Sequence, residues 1–165
     1  MNALFIGRFQ PFHNGHLQVI QHIYKKYTNI FIGIGSSQYA NTRDNPFSYE
    51  ERKQMIHEAL SYNNIKNFEI LPIPDIHNPP KWVDHVTSII SNFQVVITNN
   101  ELTKQLFEQQ GFPVVNTPQF QRQLFSGKEI RNRMIHDQEW KTLVPKPVAD
   151  IIVKIQGVER IKQLF

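Results

Sequence analysis

The sequence of 165 residues contains no cysteine. This absence excludes disulfide bonds, thiolate metal sites and cysteine nucleophiles together. No apolar run approaches the roughly 20 residues that a membrane-spanning helix requires, and the first residues lack the basic and apolar segments of a secretory signal. We therefore expect a cytoplasmic protein that is stabilised by packing and does not enter a membrane.

The charges are nearly balanced and are not clustered. Eighteen Lys and Arg residues against fourteen Asp and Glu give a formal net charge of +4, which suits an anionic ligand but is also ordinary for a soluble protein. No long basic block or basic tail is present, which argues against a dedicated nucleic-acid-binding protein. Hydrophobic residues make up 40% of the chain, which is enough to pack residues 1–165 as one domain.

Short β-branched runs alternate with helical patterns along the chain. Strands are predicted at 3–6, 30–34, 68–72, 94–98 and 114–115, and helices at 17–27, 48–62, 82–90 and 102–109, with a mostly helical part from about 126. Ser48 and Glu51 have the spacing of a capping box, which marks the start of the second helix. The alternation predicts an α/β fold with an open parallel sheet, whose ligands bind beyond the carboxyl ends of the strands.

The loop after the first strand combines the features of a phosphate site. Gly7 ends the strand, Arg8 follows it, and His13 and His16 stand three residues apart at the start of a helix. A helix N-terminus attracts phosphate, residues three apart share one helix face, and Gly15 allows a close backbone approach. The alternative is a pair of exposed histidines near a turn, but ordinary loops rarely combine these elements directly after a buried strand.

The string Gly-Arg-Phe-Gln-Pro-Phe-His-Asn-Gly-His over residues 7–16 resembles the signature loop of the nucleotidylyltransferase superfamily, whose core motif is His-x-Gly-His. It is more closely similar to the archaeal-type nicotinamide-mononucleotide adenylyltransferases. Segments at 35–38, 43–47, 51–52, 82–85 and 157–161 resemble the same branch. The resemblance therefore covers nearly the whole chain and implies a Rossmann-like sheet with helices on both faces.

A second candidate phosphate segment spans residues 126–131. Ser126 and Gly127 open a helix and Arg131 lies one turn further on, so backbone amides and a guanidinium can hold phosphates there. The segment resembles the family's Ser-x-Thr-x-x-Arg motif, with Lys128 in place of the threonine. An ammonium group therefore stands where the family has a hydroxyl. Without the first motif, the segment would be interpreted only as a helix cap.

The resemblance also implies the roles of the candidate residues. Arg8, His13, His16 and Arg131 would be catalytic by holding the ATP phosphates, with His16 nearest the α-phosphate. The wider ATP site would comprise Gly7, Arg8, Phe9, Gln10, His13, Gly15, His16, Ser126, Gly127, Lys128 and Arg131. The site for nicotinamide mononucleotide would comprise Trp82, Asn78, Phe12, Ser36 and Arg43.

Trp82 is the residue that would stack on the nicotinamide ring, since a pyridinium adds cation–π attraction to the stacking. The family tends to have an asparagine three residues before this tryptophan, where this sequence has Pro79 with Asn78 beside it. Arg43 and Arg122 are further candidates for binding phosphate or ordering a loop.

The implied reaction transfers AMP from ATP to nicotinamide mononucleotide and releases pyrophosphate. The attacking phosphate is already an anion near pH 7, so no enzyme nucleophile or strong base is needed, in agreement with the lack of cysteine. Catalysis would depend on positioning two anions and on stabilising the developing charge. Mg²⁺ would be carried by the triphosphate rather than by a protein metal site, and the resemblance implies a homo-oligomer.

Other functions stay open at this point. A transferase of the same superfamily that acts on phosphopantetheine would share the phosphate site and differ around Trp82. A non-catalytic nucleotide sensor or RNA-binding module would bind its ligand without releasing pyrophosphate, although no RNP-type aromatic motif is present. The sequence also has no Gly-x5-Glu-x7-Arg-Glu-like box, so we expect no Nudix hydrolase activity.

Overall fold

The computed structural model describes residues 1–118 and 124–165. Its central element is a sheet of five strands, β1 (Asn2–Gly7), β2 (Asn29–Gly35), β3 (Phe68–Ile73), β4 (Val95–Ile97) and β5 (Val114–Val115). The order across the sheet is β3-β2-β1-β4-β5, and every neighbouring pair is parallel. The strand order changes direction between β1 and β4, so the usual ligand position in such a sheet lies at the carboxyl ends of these two strands.

Helices cover both faces of the sheet. The described residues form α1 (Asn14–Ile23), α2 (Tyr49–Tyr62), α3 (Pro79–Ile89), α4 (Glu101–Gln109), α5 (Gly127–Ile135), α6 (Lys146–Lys154) and α7 (Gly157–Gln163), with a short 3₁₀ helix at Lys141–Leu143. Ala3 and Phe5 of β1 pack into one core with α1, α2, α5, α6 and α7, whereas Leu4 packs into a second core with α3 and α4. Because successive side chains of a strand point to opposite faces, both faces need cover. The predicted α/β fold is confirmed.

The helix boundaries confirm one prediction from the sequence and correct two others. Ser48 caps α2 as predicted, since the Glu51 amide donates to Ser48 Oγ over 3.2 Å and the Ser48 amide donates to Glu51 Oε1 over 2.9 Å. The predicted start of α3 at residue 82 is wrong, because this helix begins at Pro79. Proline lacks an amide hydrogen and has a helical φ, so Pro79 and Pro80 fit the first turn. The predicted helix end at residue 27 is also wrong, since α1 ends at Ile23.

Within the described parts of the chain, no helix has both the length and the apolar character needed to span a bilayer.

Candidate active site

His13 and His16 form the start of α1 and contact each other directly. The His16 amide donates to His13 Nδ1 over 3.3 Å, and the His13 amide donates to His16 Nδ1 over 3.1 Å. The two rings stack with their centroids 3.5 Å apart. Because Nδ1 accepts a hydrogen bond in both rings, each neutral imidazole carries its proton on Nε2. Each ring therefore keeps an N–H donor that a ligand can use.

Two aromatic side chains of the same loop pack against the His16 imidazole. The Phe12 ring stacks on His16 at 5.4 Å between centroids, and the Phe9 ring meets it edge-on at 4.8 Å. Burial lowers the pKa of His13 to about 3. Burial, with the neighbouring His13 as a smaller cause, lowers the pKa of His16 well below its ordinary value. Both imidazoles are therefore neutral at pH 7 and offer hydrogen bonds rather than charge.

The start of α5 lies directly against this loop. Arg131 Nη1 donates to the carbonyl oxygen of Gln10 over 2.7 Å, although the two residues are 121 positions apart in sequence. A Cβ atom at Gly127 would lie 2.8 Å from Arg131 Nη1 and 3.0 Å from the Gln10 oxygen, so glycine allows this close approach without displacing either atom. Ser126 caps the helix by accepting from the Glu129 amide over 3.1 Å. The two segments singled out in the sequence thus lie side by side.

A cavity of about 320 Å³ lies between the carboxyl ends of β1 and β4, and we call it the switch-point cavity. His13, His16, Gly15, Ser126 and Gly127 line it together with the ends of the strands. The two predicted phosphate segments therefore share one cavity wall.

The opposite wall of the switch-point cavity contains polar residues that the sequence analysis did not single out. They are Thr98, Asn99, Asn100 and Thr117. Asn99 Nδ2 donates to Thr117 Oγ1 over 3.2 Å, and the Thr117 amide donates to Asn99 Oδ1 over 2.9 Å, which joins the ends of β4 and β5. The signal that could have identified three of them is the polar run at 98–100, at the carboxyl end of a predicted strand.

A second cavity, of about 620 Å³, borders the first at Ser126, which lines both. Arg8, Arg43, Lys128 and Arg131 line this second cavity, which we call the cationic cavity. All four are residues predicted to bind substrate, and the fold brings them together from three separate segments.

The positive charge of the cationic cavity is only partly compensated by the two carboxylates that line it. Glu129 pairs with Arg133, with 3.0 Å between Arg133 Nε and Glu129 Oε1. Burial is the largest cause that lowers the pKa of Arg131, the neighbouring Arg8 lowers it further, and Asp44 raises it. The cavity therefore holds an excess of positive charge and suits a polyanion.

A third cavity, of about 180 Å³, lies beside Trp82, and we call it the Trp82 cavity. The Trp82 ring is half-buried and meets the Phe107 ring edge-on, with 5.6 Å between centroids. Asn78, Asp75 and His77 bring polar groups to the same cavity. Asn78 precedes α3 but its side chain makes no capping hydrogen bond. A flat ring with a polar substituent fits this combination.

Three of the five residues predicted to bind the mononucleotide do not line the Trp82 cavity. The Phe12 side chain is fully buried in the core. The Ser36 carbonyl oxygen accepts from Arg52 at the end of β2, over 3.3 Å. Arg43 lines the cationic cavity, where its Nε donates to the Leu164 carbonyl oxygen over 2.8 Å. These three residues therefore lie outside the lining of the Trp82 cavity, and their contact with the mononucleotide stays a prediction.

Several loop residues that were predicted to contact ATP line none of the three cavities. The Phe9 and Gln10 side chains are buried, and the Gln10 amide group bonds both the amide and the carbonyl of Phe47 over 2.9 Å. A Cβ atom at Gly7 would lie 2.9 Å from the Phe9 ring. These residues support the loop from within. Arg122 lies outside the described residues.

In residues 1–118 and 124–165, no group of three or more histidine or acidic side chains is placed to hold a metal ion.

The fold and the paired phosphate segments are those of a nucleotidyltransferase, and comparisons with known proteins agree. The family model described as cytidylyltransferase-like matches residues 4–133. The nicotinamide-nucleotide adenylyltransferase of Thermococcus sibiricus is 43% identical over 166 residues, covering 99% of this chain and 89% of the relative. That of Picrophilus torridus is 43% identical over 164 residues, covering 99% and 97%. The chain therefore belongs to the cytidylyltransferase-like family and, within it, to the nicotinamide-nucleotide adenylyltransferases.

Solved structures share the fold. A bifunctional NMN adenylyltransferase/ADP ribose pyrophosphatase from Francisella tularensis, in complex with AMP and a Mn ion, matches with a TM-score of 0.79 at 24% identity. A second structure of that bifunctional protein gives a TM-score of 0.82 at 23% identity. Each match covers 98% of this chain and 52% of the other, so this chain spans about half the length of the bifunctional protein.

Proposed function

We propose that the chain transfers the adenylyl group of ATP to nicotinamide mononucleotide, forming NAD and pyrophosphate. The observation that carries this proposal is the meeting of His13 and His16 with the start of α5 at the switch point of the sheet. Two relatives that are 43% identical over nearly the whole chain are named after this reaction, as nicotinamide-nucleotide adenylyltransferases.

The three cavities divide the substrates between them. We assign the nucleoside of ATP to the switch-point cavity, whose walls combine Phe5 and Ile97 with the polar residues after β4. The α-phosphate then lies at the imidazoles, and the β- and γ-phosphates extend past Ser126 into the cationic cavity. This order follows from charge, since the neutral donors meet the reacting phosphate and the cations meet the leaving group.

In this arrangement a phosphate oxygen of the mononucleotide forms a bond to the α-phosphorus while the bond to the β-phosphate oxygen breaks. His13 and His16 donate from Nε2 to the α-phosphate oxygens, where negative charge grows in the transition state. Arg8, Lys128 and Arg131 neutralise the departing pyrophosphate. No side chain has to accept a proton, because the attacking oxygen is already ionised.

A divalent metal completes this proposal, and we expect Mg²⁺ bound to the triphosphate. The described residues offer no group of three metal-ligating side chains, so the protein part of such a site would be small. Mg²⁺ commonly keeps several waters and binds through substrate phosphates. When bound, it would neutralise phosphate charge alongside the cationic cavity.

The Trp82 cavity favours nicotinamide mononucleotide over other acceptors of the superfamily. The indole ring can stack on the nicotinamide, and the Asn78 side chain can bond its carboxamide. The carboxylate of Asp75 lines the same cavity and suits a pyridinium cation. A phosphopantetheine acceptor has no aromatic ring and would leave this stacking surface unused.

We also propose that the chain is one domain, forms a homo-oligomer, acts in the cytoplasm and uses no nucleic acid. The family resemblance supports the oligomer, and the lack of a basic block supports the last point. Size-exclusion chromatography with light scattering tests the oligomeric state directly.

The activity is tested by incubating the purified chain with ATP, Mg²⁺ and one acceptor at a time. The acceptors are nicotinamide mononucleotide, nicotinate mononucleotide and phosphopantetheine. We expect equal amounts of NAD and pyrophosphate with the first acceptor, measured by chromatography and a coupled pyrophosphate assay. Product with phosphopantetheine alone would refute the assigned acceptor, and no pyrophosphate with any acceptor would refute the activity.

A further inference from the structure

Arg52 lies on α2 and is fully buried, although arginine is among the residues least often found in that state. Its guanidinium uses all five N–H donors on backbone carbonyl oxygens. Nη1 donates to Arg8 and Gly35, both over 2.9 Å, and Nε donates to Ser48 over 3.1 Å. Nη2 donates to Ser36 and Tyr39, over 3.3 and 3.4 Å.

These five carbonyls belong to three segments of the chain, one of which is Ser48 at the start of α2. Arg8 follows β1 and lines the cationic cavity, whereas Gly35, Ser36 and Tyr39 end β2 and begin the loop after it. Among the residues that the structure describes, the Arg8 side chain makes two long hydrogen bonds, to the Asp44 carbonyl oxygen and Asn45 Oδ1 at 3.5 Å each. The shorter hydrogen bond from Arg52 to the Arg8 carbonyl oxygen is therefore the stronger restraint on the position of Arg8.

No carboxylate hydrogen-bonds to or pairs with the Arg52 guanidinium within the described residues. Glu51, the neighbouring acid, is bonded to Arg160 through two contacts of 2.6 and 2.8 Å. Burial, with repulsion from Arg8 as the next cause, lowers the pKa of Arg52 to about 10 although Glu51 raises it, and Arg52 stays charged at neutral pH. Carbonyl dipoles offset only part of the cost of burying a cation, so a nearby anion would stabilise this state.

We propose that Arg52 is a positioning residue of the phosphate site, which anchors the backbone at Arg8 and adds a positive charge behind it, without a bonded carboxylate, that attracts the nucleotide triphosphate. This inference rests on the proposed function for the identity of the ligand. It predicts that polyphosphate affinity depends on Arg52 while nucleoside affinity does not, because none of the five residues whose carbonyls bond Arg52 is in the lining of the switch-point cavity.

The experiment measures binding of inorganic tripolyphosphate with Mg²⁺, and separately of adenosine, by isothermal titration calorimetry. Arg52→Met should weaken tripolyphosphate binding by at least about tenfold, since a buried charge and its restraint are both lost. Adenosine affinity should change by less than about twofold, within the variation of such measurements. Arg52→Lys keeps the charge but has three donors for five carbonyls, so it should fall between wild type and Arg52→Met.

Arg160→Met is the matched structural control. It breaks the ion pair with Glu51 and the 3.1 Å bond to the Pro46 carbonyl oxygen, but it leaves the carbonyls bound by Arg52 untouched. We expect a lower Tm and an unchanged tripolyphosphate affinity. Arg52→Lys also serves as the second variant if Arg52→Met does not fold.

The opposite results would overturn either the role of Arg52 alone or the phosphate site as a whole. Wild-type tripolyphosphate affinity in Arg52→Lys and Arg52→Met, or equal losses for tripolyphosphate and adenosine, would overturn the role of Arg52 and leave the proposed activity intact. A wild-type protein that binds no tripolyphosphate would overturn the phosphate site and this inference together.

Discussion

His13 and His16 accept hydrogen bonds from each other's backbone amides through Nδ1, so the contacts that start α1 also set the tautomer of both rings. Helix capping and the presentation of two Nε2 donors are therefore a single structural arrangement. A change at either residue should affect both stability and turnover, and the two effects can be measured separately.

Replacing His16 with alanine should lower kcat by about 10²–10³, because one donor to the transition state is lost. The capping bond to the His13 amide is lost as well, and such a loss typically costs about 1 kcal/mol, so the Tm should fall slightly while the chain still folds. Steady-state kinetics and thermal melts measure the two effects. His57→Ala, at an exposed position of α2, is the control. Turnover close to wild type in His16→Ala would remove His16 from the mechanism.

The depressed pKa of His13 should make stability depend on pH. Between the ordinary value of 6.5 and the folded value of about 3, the unfolded chain binds a proton that the folded chain does not. The contribution of neutral His13 is thus fully present above about pH 6.5 and is lost as the pH falls, by at most about 1.4 kcal/mol per pH unit.

Urea unfolding at pH 7.5 and 5.5 measures this dependence. His13→Asn keeps a capping oxygen but cannot titrate, so its free energy of unfolding should decrease less than that of wild type between the two pH values. Equal decreases in the two proteins would show that His13 does not stay neutral in the folded chain.

Trp82→Ala should raise the KM for nicotinamide mononucleotide by about tenfold, since stacking on an aromatic ring commonly contributes that much. The KM for ATP should change by less than about twofold, because Trp82 lines neither of the other two cavities. Trp82→Phe should show an intermediate value. Equal increases for the two substrates would count against ring stacking.

Gly127→Ala should separate the two phosphate segments. The added Cβ would meet Arg131 Nη1 at 2.8 Å and the Gln10 carbonyl oxygen at 3.0 Å, so the Arg131 guanidinium has to move and the contact between α5 and the loop has to loosen. We expect kcat/KM for ATP to decrease by at least about tenfold, a typical result of a small displacement at a reacting centre. Kinetics at several ATP concentrations test this, and an unchanged kcat/KM would mean that the contact is not needed.

The strands, the capped start of α2 and the helix starts beside His13 and Ser126 could be predicted because each has a local signal, such as a β-branched run or a capping residue. Arg52 could not, because an arginine on a helix is usually solvated and its burial depends on which carbonyls the fold brings above it. Phe12 was grouped with Trp82 because an aromatic residue beside a motif looks the same in sequence whether it contacts a ligand or packs in the core. The polar residues at 98–100 were not singled out, since a polar run at the end of a strand has the same pattern in a cavity wall and in an exposed loop.

Ser126 borders both the switch-point cavity and the cationic cavity. For inhibitor design, this shared border means that a neutral fragment found in the first compartment can be extended past one hydroxyl to an acidic group in the second. When two weakly binding fragments are joined in this way, binding of one raises the effective concentration of the other at its own compartment, so the joined compound binds more tightly.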